Sequence, residues 1–315
     1  MTWRWLPWLL LLGASLAANA GELGKTRSPA AGRAVADTTL MASDIAGLAP
    51  QRPGQPDLYV LGFAGDGSEQ VFENEVRYLR DLAAQRMDAR GRVLLLANHP
   101  SQPPQRPLPR ATLANLQAAL AGLGATMDRN EDLLLLYVTT HGTPEHELLL
   151  RRPGAADAVV NAAQIRRALD ASGIRHRVIA LSACYSGGLI RELQDPDTLL
   201  LAAARHDRTS FGCGNDSVAT YFGRAWLVEG LNGTMDFAAA FEQARLSIAR
   251  RERTDGLRPS RPQMARGSRI EALLAVWRGS FKPGPALPYP HAEPELTEAS
   301  ESGFIPPRRP NDRLR

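Results

Sequence analysis

The chain has 315 residues, 44% hydrophobic and 22% charged, an ordinary globular mixture that excludes a fibrous or wholly disordered protein. Its 37 Lys and Arg exceed its 33 Asp and Glu by little, its arginines are scattered, and aromatics are 6%. A nucleic-acid binder would gather its basic residues in a stripe with interleaved aromatics, so nucleic acid is not the expected partner.

In chain order the first feature is an export signal. Residues 1–5 carry one positive charge, Arg4; residues 6–18 are apolar; Ala18-Asn19-Ala20 places small residues at the two positions a signal peptidase reads. The pattern predicts a signal peptide over residues 1–20, with cleavage before Gly21. The apolar run is too short for the roughly 20 residues that span a bilayer. No later run is long enough, so no integral membrane span is expected after cleavage. The chain is expected to be exported, periplasmic or secreted. Residues 21–56, rich in Ala, Gly, Pro and polar residues, read as a flexible lead-in or short pro-segment.

Short apolar runs then alternate with amphipathic stretches. A strand is predicted over 58–63, closed by the turn Ala64-Gly65-Asp66-Gly67. A helix over 71–87 follows, with Val71, Val76, Leu79, Leu82 and Ala83 on one face. Further strands are predicted over 93–98, over 133–138 (ending at Thr139-Thr140-His141-Gly142), over 177–182 (ending at Ala183-Cys184) and over 199–204. Residues 147–152 read as one strand of a projecting hairpin. Helices are predicted over 112–123, over 161–171 with Asn161 as N-cap, and over 217–231 and 235–252. Residues 282–315, rich in prolines and acidic residues, read as an extended tail outside the core. The folded unit is thus residues 57–281, a suitable size for one α/β domain.

Continuous apolar strands alternating with helices predict a mostly parallel sheet covered on both faces. Ligands bind such sheets at the carboxyl ends of the strands. His141 and Cys184 each sit at that end of a predicted strand. A thiol nucleophile needs a base that takes and returns a proton, and donors for the oxyanion. Cys184 precedes Tyr185-Ser186-Gly187-Gly188, small residues that allow a sharp turn and the start of a helix whose dipole favours a thiolate. Gly142 allows a substrate carbonyl close to the backbone, so the N–H groups of Gly142 and Cys184 are the expected oxyanion donors.

His141-Gly142 after one apolar strand, then Ser182-Ala183-Cys184-Tyr185-Ser186-Gly187 after the next, resembles the legumain family of caspase-like cysteine peptidases. Residues 62–67 through Glu75, and residues 207–213, are also similar to bacterial members. The resemblance covers residues 57–281. It implies a caspase-like three-layer α/β/α sandwich, a catalytic pair of Cys184 and His141, no metal and no cofactor. It also implies endopeptidase or transpeptidase chemistry on a protein or peptide substrate, through a thioester. Oligomeric state is not implied.

Two departures concern specificity. Plant and animal legumains carry a Glu two residues before the nucleophile, where this chain has Ser182. Their Asn-x-Arg-His stretch has no counterpart here, its region being occupied by residues 66–70. A preference for cleavage after Asn therefore does not transfer. Asp66, Glu69 and Ser182 are the pocket candidates, and a carboxylate there would favour a basic residue before the scissile bond.

Other residues have plainer roles. Asp66 between two glycines either orients His141, lines the pocket, or simply builds a turn. Ser186 lacks the Gly two residues ahead that a serine-nucleophile elbow needs, and reads as a helix cap. His141, His146 and Cys184 match no zinc spacing. His206 and Asp207 either border the cleft or form a solvated loop. Cys213, 29 residues after Cys184, raises the alternative of a disulfide, permanent or reversible, in an oxidising compartment. From another functional class, the alternative is a catalytically silent caspase-like binding module of the cell envelope.

Overall fold

The structure, a computed structural model, describes residues 29–100 and 105–291; the expected signal peptide lies outside them. Six strands form the main sheet: β1 (Leu58–Ala64), β2 (Val93–Ala97), β3 (Leu133–Thr139), β6 (His176–Ser182), β7 (Thr198–Ala202) and β8 (Gln263–Arg266). They run in the order β2-β1-β3-β6-β7-β8. The first five are parallel, and β8 closes one edge antiparallel to β7. Strands β1, β3, β6 and β7 are buried along their whole length, as unbroken apolar runs must be when both faces of a sheet are covered.

Side-chain alternation divides the core in two. Val60, Leu133, Leu135, Tyr137, Val178 and Leu201 face α2 (Val71–Arg86), a π-helix (Gly223–Gly230), the short α6 (Leu231–Gly233), α7 (Phe237–Thr254) and α8 (Ile270–Gly279). Tyr59, Leu61, Phe63, Leu134, Leu136, Ile179 and Leu181 face α1 (Pro29–Ala46), α3 (Leu113–Thr126), α4 (Ala162–Ser172) and the short α5 (Ile190–Leu193). This is the expected three-layer α/β/α sandwich. Strand order reverses between β1 and β3, and a cleft at the carboxyl ends of such strands is where an open α/β sheet binds its ligands.

Local signals placed several elements correctly. Thr112 caps α3 by accepting from Asn115 N–H at 3.1 Å. Asn161 and Gln164 form a reciprocal capping box at α4, which ends on Gly173 in the left-handed region at φ 70°. β4 (Glu147–Leu150) pairs antiparallel with β5 (Ala158–Asn161) as a separate hairpin, seated on the core through Leu148, Leu150 and Val160.

Four segments depart from expectation. The stretch read as a flexible lead-in is helical over α1, held by long-range contacts. Met41 is buried, Ile45 lies over Gly122 of α3, and Asp44 pairs with Arg106 at 2.6 Å. The tail also begins docked: Tyr78 Oη donates to the Leu287 carbonyl at 2.7 Å, and Tyr289 packs edge-on to Tyr78. The rest of the tail, residues 292–315, lies outside the described residues. β8 and α8 lie in a stretch where no element is predicted; β8 is fixed by pairing with β7, and α8 buries Ile270, Leu274 and Trp277, spaced on one helical face. Instead of a regular helix over 217–231, residues up to Thr220 are a loop and the helix after it is π-wound, with Gly223 directly against the Glu75 carboxylate. No helix among the described residues is long and apolar enough to cross a membrane.

Candidate active site

Three strand ends build the site: the loop after β1 carries Asp66 and Glu69, the end of β3 carries His141, and the end of β6 carries Cys184. Thr139 and Ser182 are register partners, so His141 and Cys184 leave the sheet at the same level, two residues further on. Thr140 N–H donates to the Ser182 carbonyl at 3.1 Å, and the His141 carbonyl accepts from Leu149 N–H at 2.9 Å. His141 is therefore clamped between β6 and the hairpin.

The His141 ring is placed by two side chains. Its Nε2 is 2.8 Å from Glu69 Oε2, and its edge meets the Phe72 ring at 5.3 Å between centroids. Gly142 is required by close approach: a Cβ there would lie 2.0 Å from the Cys184 carbonyl oxygen. Among the described residues neither Gly142 N–H nor Cys184 N–H has an acceptor, whereas the flanking Thr143 and Tyr185 N–H groups donate to the Glu147 and Arg208 carbonyls. The two free donors thus sit on backbones in contact.

Cys184 is partly exposed, and both it and Cys213 are free thiols, so the disulfide alternative is not the state of this structure. Ser210 N–H donates to Cys184 Sγ at 3.2 Å. The Cys184 thiol is pulled down to about 6, first by a hydrogen bond from Cys213, then by the Ser210 backbone and hydroxyl and the charge of His141, all against the opposing effect of burial. The same contact, with burial, pushes the Cys213 thiol up. The expected long helix after Cys184 is absent. Tyr185, at φ 57°, leads into a 3₁₀ turn (Ser186–Leu189) and the single turn of α5. So short a segment has little dipole, and the thiolate is held by specific donors instead.

Removing the Cys213 donor should therefore raise the Cys184 thiol. In the unmodified protein alkylation at Cys184 is expected to rise through about pH 6. In Cys213→Ala that midpoint should move up toward the ordinary thiol value of about 8.5. Rates of labelling read by peptide mass spectrometry decide it, and an unmoved midpoint would remove Cys213 from this role.

The remaining candidates fall in different places. Asp66 is wholly buried; its Oδ1 accepts from Ser68 N–H at 2.8 Å and Ser68 Oγ at 2.5 Å, and Oδ2 is 3.2 Å from Arg151 Nη1. It builds the turn that presents Glu69, and Glu69 rather than Asp66 contacts His141. Ser182 is buried beneath the site, 2.9 Å from Thr220 Oγ1. Ser186 is not a helix cap: its hydroxyl accepts from Ala204 N–H at 3.3 Å, tying the nucleophile turn to the end of β7. His146 lies against Gly188 and bonds the His206 carbonyl at 3.0 Å, while Asp207 pairs with Arg205 in solvent. No group of three or more His, Cys, Asp or Glu among the described residues could hold a metal. Sequence reasoning missed Ser210 and Phe72, and brought Cys213 to Cys184 only as a disulfide alternative. The similarity of residues 207–213 to bacterial relatives was the signal that pointed to the loop of Ser210.

A family model described as the peptidase C13 family matches residues 111–268, half of the chain and the half containing His141 and Cys184. Among solved structures, caspase-1 from Spodoptera frugiperda is similar with a TM-score of 0.45 and 14% identity, over 70% of this chain and 94% of that one. A secreted C11 cysteine protease from Bacteroides thetaiotaomicron, in complex with an irreversible peptide inhibitor, is similar with a TM-score of 0.41 and 12% identity, over 62% of this chain and 59% of that one. No curated protein matches the chain.

Proposed function

The chain belongs to the peptidase C13 family, the legumain family of caspase-like cysteine peptidases, and from that premise we propose that it cleaves peptide bonds with Cys184 as nucleophile and His141 as proton carrier. The observation that carries this reading is the partly exposed Cys184 sulfur, receiving the Ser210 N–H at 3.2 Å, at the strand end level with His141. Cys184 Sγ attacks the substrate carbonyl carbon, forming a C–S bond while the carbonyl electrons move to oxygen. The free N–H groups of Gly142 and Cys184 receive that oxyanion. Collapse breaks the C–N bond as His141 protonates the departing amine, leaving a thioester on Cys184. Water, deprotonated by His141, hydrolyses the thioester; an incoming amine would instead complete a transpeptidation.

Glu69 acts as the positioning residue for His141. With Nε2 held by the carboxylate, Nδ1 is the nitrogen left to exchange protons with substrate. On a reporter with a neutral residue before the scissile bond, Glu69→Gln is expected to lower kcat by about 10²-fold, within the range a proton-transfer group contributes, with KM little changed. Steady-state kinetics test this, and an unaltered kcat would take Glu69 out of the mechanism.

Glu69 is also the remaining acidic pocket candidate at the cleft, since Asp66 is buried. It supports a preference for a basic residue before the scissile bond, and Arg as the poorest of Asn, Asp and Arg reporter peptides would overturn that preference. The N-terminal signal pattern supports export to the periplasm or medium. The overall test is turnover of a positional peptide-reporter library with reductant present. Turnover is expected. Silence from a folded sample whose Cys184 resists alkylation would favour the catalytically silent binding module.

A further inference from the structure

Beneath the site, Glu75 of α2 is a buried carboxylate that the mechanism above does not use. All its hydrogen-bond partners among the described residues are neutral. Oε2 accepts from Tyr137 Oη at 2.8 Å and Thr139 Oγ1 at 2.6 Å, both on β3, and Oε1 accepts from Thr220 N–H at 2.7 Å. A carboxylate taken out of water with no cation beside it is costly, and an apolar side chain of similar size would fill the space with less penalty. Its placement must therefore serve something other than packing.

The partners define what it joins. Thr139 lies two residues before His141 on the strand that carries it. Thr220 lies 2.9 Å from the hydroxyl of Ser182, two residues before Cys184. The next residue, Tyr221, donates its N–H to the Phe211 carbonyl and so anchors the loop that brings Ser210 and Cys213 to the nucleophile. Gly223 gives the carboxylate room, since a Cβ there would lie 2.0 Å from Glu75 Oε1. One side chain thus touches the strand of His141, a bonded neighbour of the strand of Cys184, and the foot of the thiol-donor loop.

We propose that Glu75 is a positioning residue that fixes His141, Cys184 and the Ser210–Cys213 loop in a single geometry, an inference that rests on the catalytic roles assigned above.

The test is Glu75→Gln, which keeps the volume but puts an N–H₂ group where an acceptor oxygen faced a donor. The variant should fold, with kcat down by about 10²-fold and KM nearly unchanged, the loss expected for a small misplacement of reacting groups. Labelling with iodoacetamide should become less selective for Cys184 over Cys213, because the loop that carries Ser210 and Cys213 loses the anchor at its foot. A kcat within about twofold of the unmodified protein, beyond the error of the assay and far below the 10²-fold loss expected, would overturn the proposal. So would an unchanged labelling ratio.

Should Glu75→Gln fail to fold, Thr139→Val removes one donor to Glu75, and Thr220→Val removes the hydroxyl that joins the Glu75-held backbone to Ser182 on the strand of Cys184, each at nearly constant shape. Each should lower kcat, Thr220→Val should also slow Cys184 alkylation, and the double variant should lose less than the product of the two. Unchanged kinetics and labelling in both would equally overturn it. If the unmodified protein cleaves no peptide, the proposed function fails by that result alone, and the labelling readouts still decide the role of Glu75.

Discussion

Replacing Cys184 with alanine is expected to abolish peptide turnover while leaving the fold intact. Removing the nucleophile leaves the oxyanion donors and substrate binding in place, so the residual rate should be set by those alone. The loss should be about 10⁵-fold or more in kcat, or about 7 kcal/mol of barrier at 1.36 kcal/mol per decade. Folding should tolerate the change because the thiol is partly exposed. An electrophilic peptide should label the unmodified protein one to one and the variant not at all. Retention of turnover within about tenfold would place the nucleophile elsewhere, because no oxyanion site alone accounts for so small a loss. Cys213, the neighbouring thiol, would then be the next residue to replace.

His141→Ala should cost about 10³-fold in kcat on amide substrates, inside the range that a positioned proton donor supplies. The structure separates two roles of this residue. Among the groups that pull the Cys184 thiol down, Cys213 and Ser210 outrank the charge of His141, so the thiolate should survive the substitution and alkylation of Cys184 should persist. The departing amine, by contrast, needs a proton that nothing else at the site is placed to give. Activated esters, whose leaving groups depart without protonation, should therefore lose far less rate than amides in this variant. Equal losses on both substrates, together with loss of Cys184 labelling, would show that His141 generates the thiolate instead. The double variant Cys184→Ala/His141→Ala should be no worse than either single change, since groups acting as a unit are not additive.

The structure also explains which parts of the molecule were legible beforehand. β3 and β6 were recognisable because Leu133–Thr139 and His176–Ser182 are nearly unbroken apolar runs ending in polar, turn-forming residues. Those endings are where His141 and Cys184 stand, so the same local pattern revealed the strands and their chemistry. The cap of α4 was legible for a similar reason: it depends on Asn161 and Gln164, three apart. α1, β8 and the docked start of the tail were not, because Ile45 over Gly122, Leu201 beside Met264, and Leu287 between Tyr78 and Asn232 join residues far apart in the chain.

The site divides along the same line. Its candidate nucleophile and proton carrier, and the glycine after His141, follow from short-range sequence pattern alone. What the tertiary structure decided is how those groups are held. Glu69 reaches His141 across 72 residues, Ser210 reaches Cys184 across 26, and Thr220 reaches Glu75 across 145. Local periodicity is written in neighbouring residues, because each strand or helix is shaped by its own backbone. The meeting of side chains from separate loops is settled only when sheet register and packing bring those loops to one end of the sheet.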